Sequence, residues 1–156
     1  MLVTIYTIIF LISFFGMEFM AWFTHKYVMH GFMWNLHSDH HTGSEGKIEK
    51  NDWFSLIFAI PSGLFIWGGC AYQNYYVASI GFGMTAYGIA YFFVHDIFIH
   101  QRIKLFRNLD TNYFRAIRRA HKMHHKHLSK ENGESFGFLI VSLKYFKQDK
   151  NAKLNN

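Results

Sequence analysis

At 156 residues the chain is within the size of one domain, yet 51% of it is hydrophobic and 20% aromatic, with 18 Phe against one Pro, which strains any soluble globular reading. The single cysteine, Cys70, sits in an apolar stretch and leaves no basis for a disulfide, a thiolate zinc site or an iron–sulfur cluster carried by this chain alone. A formal net charge of +6 could suggest nucleic acid, but that reading needs a basic patch on a soluble fold, and the charge here is sorted along the chain in a different way.

Residues 2–22 are apolar except for Glu18, and they are long enough to cross a bilayer core of about 30 Å at about 1.5 Å per residue. No basic region precedes them and no small-residue cleavage site stands before His25, so they read as an uncleaved span rather than a signal peptide. Residues 53–72 and 77–94 contain no charged residue and are separated only by the polar-aromatic stretch 73–76, which predicts a hairpin of two membrane helices. Pro61 with Gly63, Gly68 and Gly69, and the pairs Ser79/Gly83 and Gly81/Thr85, predict a kink in the first helix and close helix contact. Residues 136–146 are too short to span and read as interfacial.

All 16 Lys and Arg residues fall in segments 26–50, 102–130 and 144–153. With three spans these segments share one side, and the positive-inside rule makes that side the cytoplasm, with the amino terminus outside. The predicted architecture is an all-α integral-membrane helical bundle with a histidine-rich cytoplasmic helical cap, a single domain over residues 1–156. Its spans are 2–22, 53–72 and 77–94, and its cap is 23–52 and 95–156.

The eleven histidines carry the chemistry. HxxxxH followed by HxxHH occurs twice: His25, His30, His37, His40 and His41, then His95, His100, His121, His124 and His125. In HxxHH the imidazoles stand at i, i+3 and i+4, one face of a helix within a turn, and neutral imidazole is a good ligand for iron, zinc, copper or nickel. In HxxxxH an ideal helix places the two rings about 140° apart, so either they serve different metals or the helix unwinds there. Ten histidines exceed the need of one tetrahedral zinc and suit two ions better. His127 lies outside both repeats and is not expected to be a ligand. Asp39, Asp96 and Glu134 are expected to orient ligands by accepting imidazole N–H bonds, with solvated or capping acids as the alternative.

The words GMEFMAWFTHKYVMHG at 16–31, LHSDHH at 36–41, GMTAYGIAYFFVHDIFIHQR at 83–102, RAHKMHH at 119–125 and ESFGF at 134–138 resemble those of the bacterial beta-carotene hydroxylases of the fatty-acid-hydroxylase superfamily. The resemblance runs from about residue 16 to residue 138 and implies a di-iron centre that activates O2. It implies hydroxylation of carbon 3 of the beta-ionone rings of beta-carotene, giving beta-cryptoxanthin and then zeaxanthin, with electrons from reduced ferredoxin and its reductase. It also implies that the ten repeated histidines are the iron ligands, without saying which binds which iron. An unactivated ring methylene needs a strong oxidant, which redox-inert zinc does not supply, so the chemistry selects iron. No long Arg- and Ser-rich leader precedes the first span, which favours a bacterial inner membrane over a plastid.

Trp22, Phe23, Tyr91, Phe92 and Phe93, near the membrane boundary, are candidates for lining a lateral carotenoid path, with lipid-facing packing as the alternative for each. If residues 113–126 are helical, Arg115, Arg118, Arg119, Lys122 and Lys126 share an arc opposite the histidines, a candidate dock for an acidic ferredoxin or a face for anionic headgroups. The rival activities are a carotenoid ketolase, a fatty-acid or sterol hydroxylase or desaturase, and a membrane metal-binding or transport protein without catalysis. The last would need a polar pathway through the membrane midplane, and the hairpin offers none.

Overall fold

A computed structural model describes residues 1–43, 48–106 and 108–147, and among these all regular structure is helical. Helix α1 (Leu2–Phe23) continues into a π-helical segment (Thr24–Phe32), which ends at the non-helical Gly31 (φ −107°, ψ −122°). Helix α2 (Trp34–Thr42) follows, then a 3₁₀ turn (Lys50–Asp52) that leads into α3 (Trp53–Ala71). A turn through Gln73, whose φ is +53°, reverses the chain into α4 (Tyr75–Phe92), and the Asn74 side chain caps that helix by accepting the Val77 N–H. Helix α4 runs into a second π-helical segment (Phe93–Ile99), and α5 (Asn112–His125) is capped by Thr111.

Three continuous helical stretches, Leu2–Phe32, Lys50–Ala71 and Tyr75–Ile99, are long and apolar enough to cross a membrane, and the chain is a membrane protein. The central one is α4, which packs against α1 on one side and α3 on the other. Lipid-like surroundings give no hydrophobic drive for this association, so it depends on how closely the backbones approach. Gly81 and Gly83 provide that approach in opposite directions. A Cβ at Gly81 would lie 2.7 Å from the Ser62 carbonyl oxygen of α3, and one at Gly83 would lie 2.5 Å from the Phe10 carbonyl oxygen of α1. The Ser13 hydroxyl adds a 2.8 Å bond to the Ile80 carbonyl. Pro61 sits within α3, which remains one helix.

Tyr6 packs edge-on to Tyr75 and Tyr76, so the amino-terminal end of α1 shares one end of the bundle with the α3–α4 turn, opposite the histidines. The segment read as interfacial behaves differently from a surface strip. Phe138 is buried, and the Glu18 carboxylate in α1 accepts the backbone N–H groups of Phe138, Leu139 and Ile140 together with the Tyr87 hydroxyl at 2.7 Å. The lone acid of the first span is thereby satisfied by four donors, which is what an ionisable group inside a membrane bundle requires.

Candidate metal centre

The sequence spacing left the HxxxxH pairs with two outcomes, and the helix takes the second. Both pairs lie where α-winding gives way to π-winding: His100 N–H bonds to the His95 carbonyl and Met33 N–H to the Val28 carbonyl, each five residues back. A helix closed by i→i−5 bonds brings the fifth residue round to nearly the same face, so His25 and His30 converge, as do His95 and His100.

The rings assemble into two groups. His25, His30, His37, His41 and His124 each offer a nitrogen within 4.8 Å of the others, and His40, His95, His100 and His121 do the same. The two repeats exchange one member: the middle ring of each HxxHH, His40 and His124, joins the group of the other repeat, while His37, His41 and His121 stay with their own. His125 stacks on His41 with ring centroids 4.6 Å apart and lies 4.4 Å from His121, beside the second group. His127 lies outside both groups and contributes its carbonyl, which accepts the His41 Nδ1–H at 2.9 Å.

Seven rings are oriented through Nδ1. His25 donates to the Phe136 carbonyl, His30 to the Lys130 carbonyl, His41 to the His127 carbonyl and His124 to the Glu134 carbonyl. His37 donates to Asn51 Oδ1 at 2.6 Å, His40 to Glu49 Oε2 at 2.7 Å and His95 to Asp96 Oδ2 at 3.1 Å. These acceptors have no proton to give, so each ring carries its proton on Nδ1 and presents a bare lone pair at Nε2. The bare nitrogens nevertheless face each other: His25–His37 and His37–His41 at 3.2 Å, His30–His124 at 3.3 Å and His40–His95 at 3.0 Å. Lone pairs at such separations repel unless a cation stands among them. That all the nitrogens of a group lie within 4.8 Å of one another is the compactness a shared ion requires, with metal–nitrogen bonds of about 2.1 Å. His125 Nε2 is buried with no hydrogen-bond partner among the described residues, which also fits a ligand atom. The donor set therefore suits two imidazole-bound metal ions.

Burial holds the imidazoles neutral. It pushes His37, His124 and His125 down to about 2 and His41 and His100 down to about 4, and it keeps His40 and His121 well below the usual histidine range.

Of the three carboxylates expected to support the ligands, only Asp96 accepts an imidazole N–H among the described residues. Asp39 accepts the Lys50 N–H instead, because two residues beyond His37 on α2 its side chain points away from the histidine face. Glu134 serves through its carbonyl, while its side chain pairs with Lys144. Glu49 and Asn51 take the roles that were missed. They lie in the polar connector ahead of α3, where the only sequence signal is an acidic pair, Glu49 and Asp52, at capping-box spacing.

The five cations of α5 and its C-cap, Lys126, do not form one unengaged face. Arg115 pairs with Asp110, Arg119 donates to the carbonyls of Tyr145 and Lys147, and Arg118 lies 4.1 Å over the Phe98 ring, whereas Lys122 and Lys126 are exposed. Asp110 precedes the helix, and the partners of Arg118 and Arg119 come from segments packed on α5, none of which the periodicity of the helix reveals.

A cavity of about 370 Å³ lies in the wedge that α4 leaves between α1 and α3. Its walls are apolar along Met17, Phe58, Met84 and Ile89, and at the metal end it meets His25 from one group and His95 from the other. Tyr91 and Phe92 line it, as two of the five expected path residues. Trp22, Phe23 and Phe93 are not among its walls; Phe23 packs on Tyr27, Trp22 against Lys26, and Phe93 against Phe106.

The fatty acid hydroxylase family model matches residues 10–144. The chain is 42% identical over 126 residues to a beta-carotene hydroxylase of Pantoea ananas, covering 81% of this chain and 71% of that one. It is 38% identical over 135 residues to a beta-carotene hydroxylase of Pseudescherichia vulneris, covering 86% and 76%. It is also 37% identical over 130 residues to a chloroplastic beta-carotene 3-hydroxylase of Arabidopsis thaliana, covering 80% of this chain and 41% of that one. No solved structure matches significantly. With paired imidazole groups at the end of an apolar wedge and this kinship along most of its length, the chain belongs to the fatty acid hydroxylase family and is a hydroxylating oxidoreductase.

Proposed function

We propose that the chain is a di-iron monooxygenase that hydroxylates carbon 3 of the beta-ionone rings of beta-carotene, giving beta-cryptoxanthin and then zeaxanthin. The observation that carries this reading is the wedge cavity, whose apolar walls end on one histidine from each group. The first iron belongs with His25, His30, His37, His41 and His124, and the second with His40, His95, His100 and His121, joined by His125. The irons, once reduced, supply the activation of O2.

The protein's part is placement. A carotenoid is about as apolar as the lipid around it, so one ring passes into the wedge between α1 and α3 while the polyene trails toward the bilayer. Phe136 and Phe138 close the metal end against water, and Phe138 also packs on His95 and His121 with ring centroids 5.1 and 5.8 Å away. The Nδ1 bonds hold seven of the imidazoles in one tautomer, so their Nε2 atoms need no rearrangement to coordinate. Electrons come from reduced ferredoxin, for which the exposed Lys122 and Lys126 offer an attractive face. The sorting of basic residues supports an inner-membrane enzyme with its histidines on the cytoplasmic side.

Expression in cells that accumulate beta-carotene, followed by pigment chromatography, tests the assignment. Zeaxanthin with transient beta-cryptoxanthin is expected. Keto-carotenoids would identify a ketolase, and unchanged beta-carotene beside hydroxylated or desaturated lipid would move the substrate elsewhere in the family.

A further inference from the structure

We infer that the two metal positions bind their ions unequally, because a carboxylate network organised by Arg102 acts on the His40/His95/His100/His121 position alone. This rests on the di-iron reading above.

The five rings of the first position donate through Nδ1 to neutral acceptors only: the carbonyls of Phe136, Lys130, His127 and Glu134, and the Asn51 side-chain oxygen. At the second position the oriented rings donate to carboxylates, His40 to Glu49 and His95 to Asp96. Arg102 ties these acids together. Its guanidinium reaches Glu49 and Asp52 at 2.7 Å and Asp96 at 3.1 Å. It takes the other oxygen of Asp96, Oδ1, and leaves Oδ2 to His95. One guanidinium faces three carboxylates, so the network keeps an excess of negative charge beside the second group.

An imidazole whose N–H points at a carboxylate is pulled toward the imidazolate, which enriches the lone pair at Nε2 and strengthens its bond to a metal. Outer partners of this kind are worth about 10–100-fold in metal affinity. The second position therefore holds its ion more tightly and gives it a more electron-rich ligand set. Glu49 and Asp96 are positioning residues in this account, and Arg102 is the group that fixes their geometry.

The test uses the full chain in detergent, loaded with Mössbauer-active iron. The parent is expected to hold two irons per chain, to show two quadrupole doublets of equal area, and to release iron to a chelator in two steps. Glu49→Gln keeps an acceptor oxygen for His40 but removes the charge. It is expected to weaken the tighter position by about 10–100-fold, so that the two release steps merge, and to alter one doublet only. Asn51→Asp adds a charge behind His37 and is expected to slow the faster release step and to alter the other doublet. A parent with two irons whose doublets and release steps respond alike, or not at all, to both substitutions would overturn the inequality while leaving the di-iron reading intact. Fewer than two irons in an active parent would overturn both. If Glu49→Gln does not fold, Asn51→Asp decides alone: an unchanged fast step counts against the inference.

Discussion

The membrane half and the histidine half of this molecule bury opposite kinds of residue. In the α3–α4 hairpin the buried positions are Ser62, Gly69, Ala78, Gly81 and Gly83, with Phe54 and Tyr87 buried where they line the cavity, while large side chains such as Trp67, 67% exposed, face outward. In the cap the interior is imidazole: His37, His40, His41, His121 and His124 are all buried. Where the surroundings are apolar, nothing is gained by hiding an apolar side chain, and the interior is left to residues that let backbones touch. Where the surroundings are aqueous, polar groups can be buried only if each has a partner, and the cap supplies that partner through a carbonyl, an amide, a carboxylate or a metal.

The largest break in this contrast comes from the cap. Alanine at any of the ten repeated histidines is expected to bring hydroxylation to background, whereas His127→Ala, which keeps the carbonyl that His41 uses, retains activity. Pigment yield at matched protein levels checks this, and several active variants among the ten would sink the ligand assignment.

Acid probes the same interior through its charge. A histidine with a folded pKa below its unfolded value of about 6.5 stays unprotonated in the native state while the unfolded chain takes up the proton. Its full stability is therefore present above that pH and is lost as pH falls toward the folded value, about 4 for His41 and His100. Each such group costs up to about 1.4 kcal/mol per pH unit. The protein should therefore lose thermal stability steeply between about pH 6.5 and 5, where the unfolded chain takes up protons that the buried rings do not. A melting temperature that stays flat across that range would contradict rings held neutral by burial.

The boundary between the halves is tested at Glu18. Glu18→Ala leaves three backbone N–H groups and the Tyr87 hydroxyl without their acceptor, at about 1–3 kcal/mol for each group that stays buried, so a loss of at least about 3 kcal/mol is expected. Unfolding in detergent that matched the parent would show that the clamp is dispensable. The smallest effect belongs to the membrane half. Gly83→Ala puts a methyl 2.5 Å from the Phe10 carbonyl oxygen and should cost about 1–3 kcal/mol, whereas Gly88→Ala, where nothing lies within 4 Å, should be silent. Similar losses at both positions would break the close-contact account.

The elements legible in the sequence were those written in one-dimensional spacing. Uncharged runs marked the hairpin, and the repeated HxxxxH and HxxHH words marked the histidines that the fold gathers. The exchange of His40 and His124 between groups was not legible, since it depends on which helix faces which. The spacing narrowed the HxxxxH pairs to two outcomes, but π-winding decides between them, and it leaves no composition signal. Glu18 stood out as the only charge in its span, yet three of its four donors are backbone N–H groups 120 residues or more away, with no side-chain signature.

That separation has a consequence for how the enzyme is made. The carbonyls that orient His25 and His124 belong to Phe136 and Glu134, near the end of the described chain. During synthesis the three spans reach the membrane first, and for that interval His25 stands there without its partner. A metal held by these rings would therefore be completed only late in biogenesis, once residues 134–138 have left the ribosome and closed over the bundle. A nascent chain stalled before residue 134 would be inserted but unable to complete its metal centre.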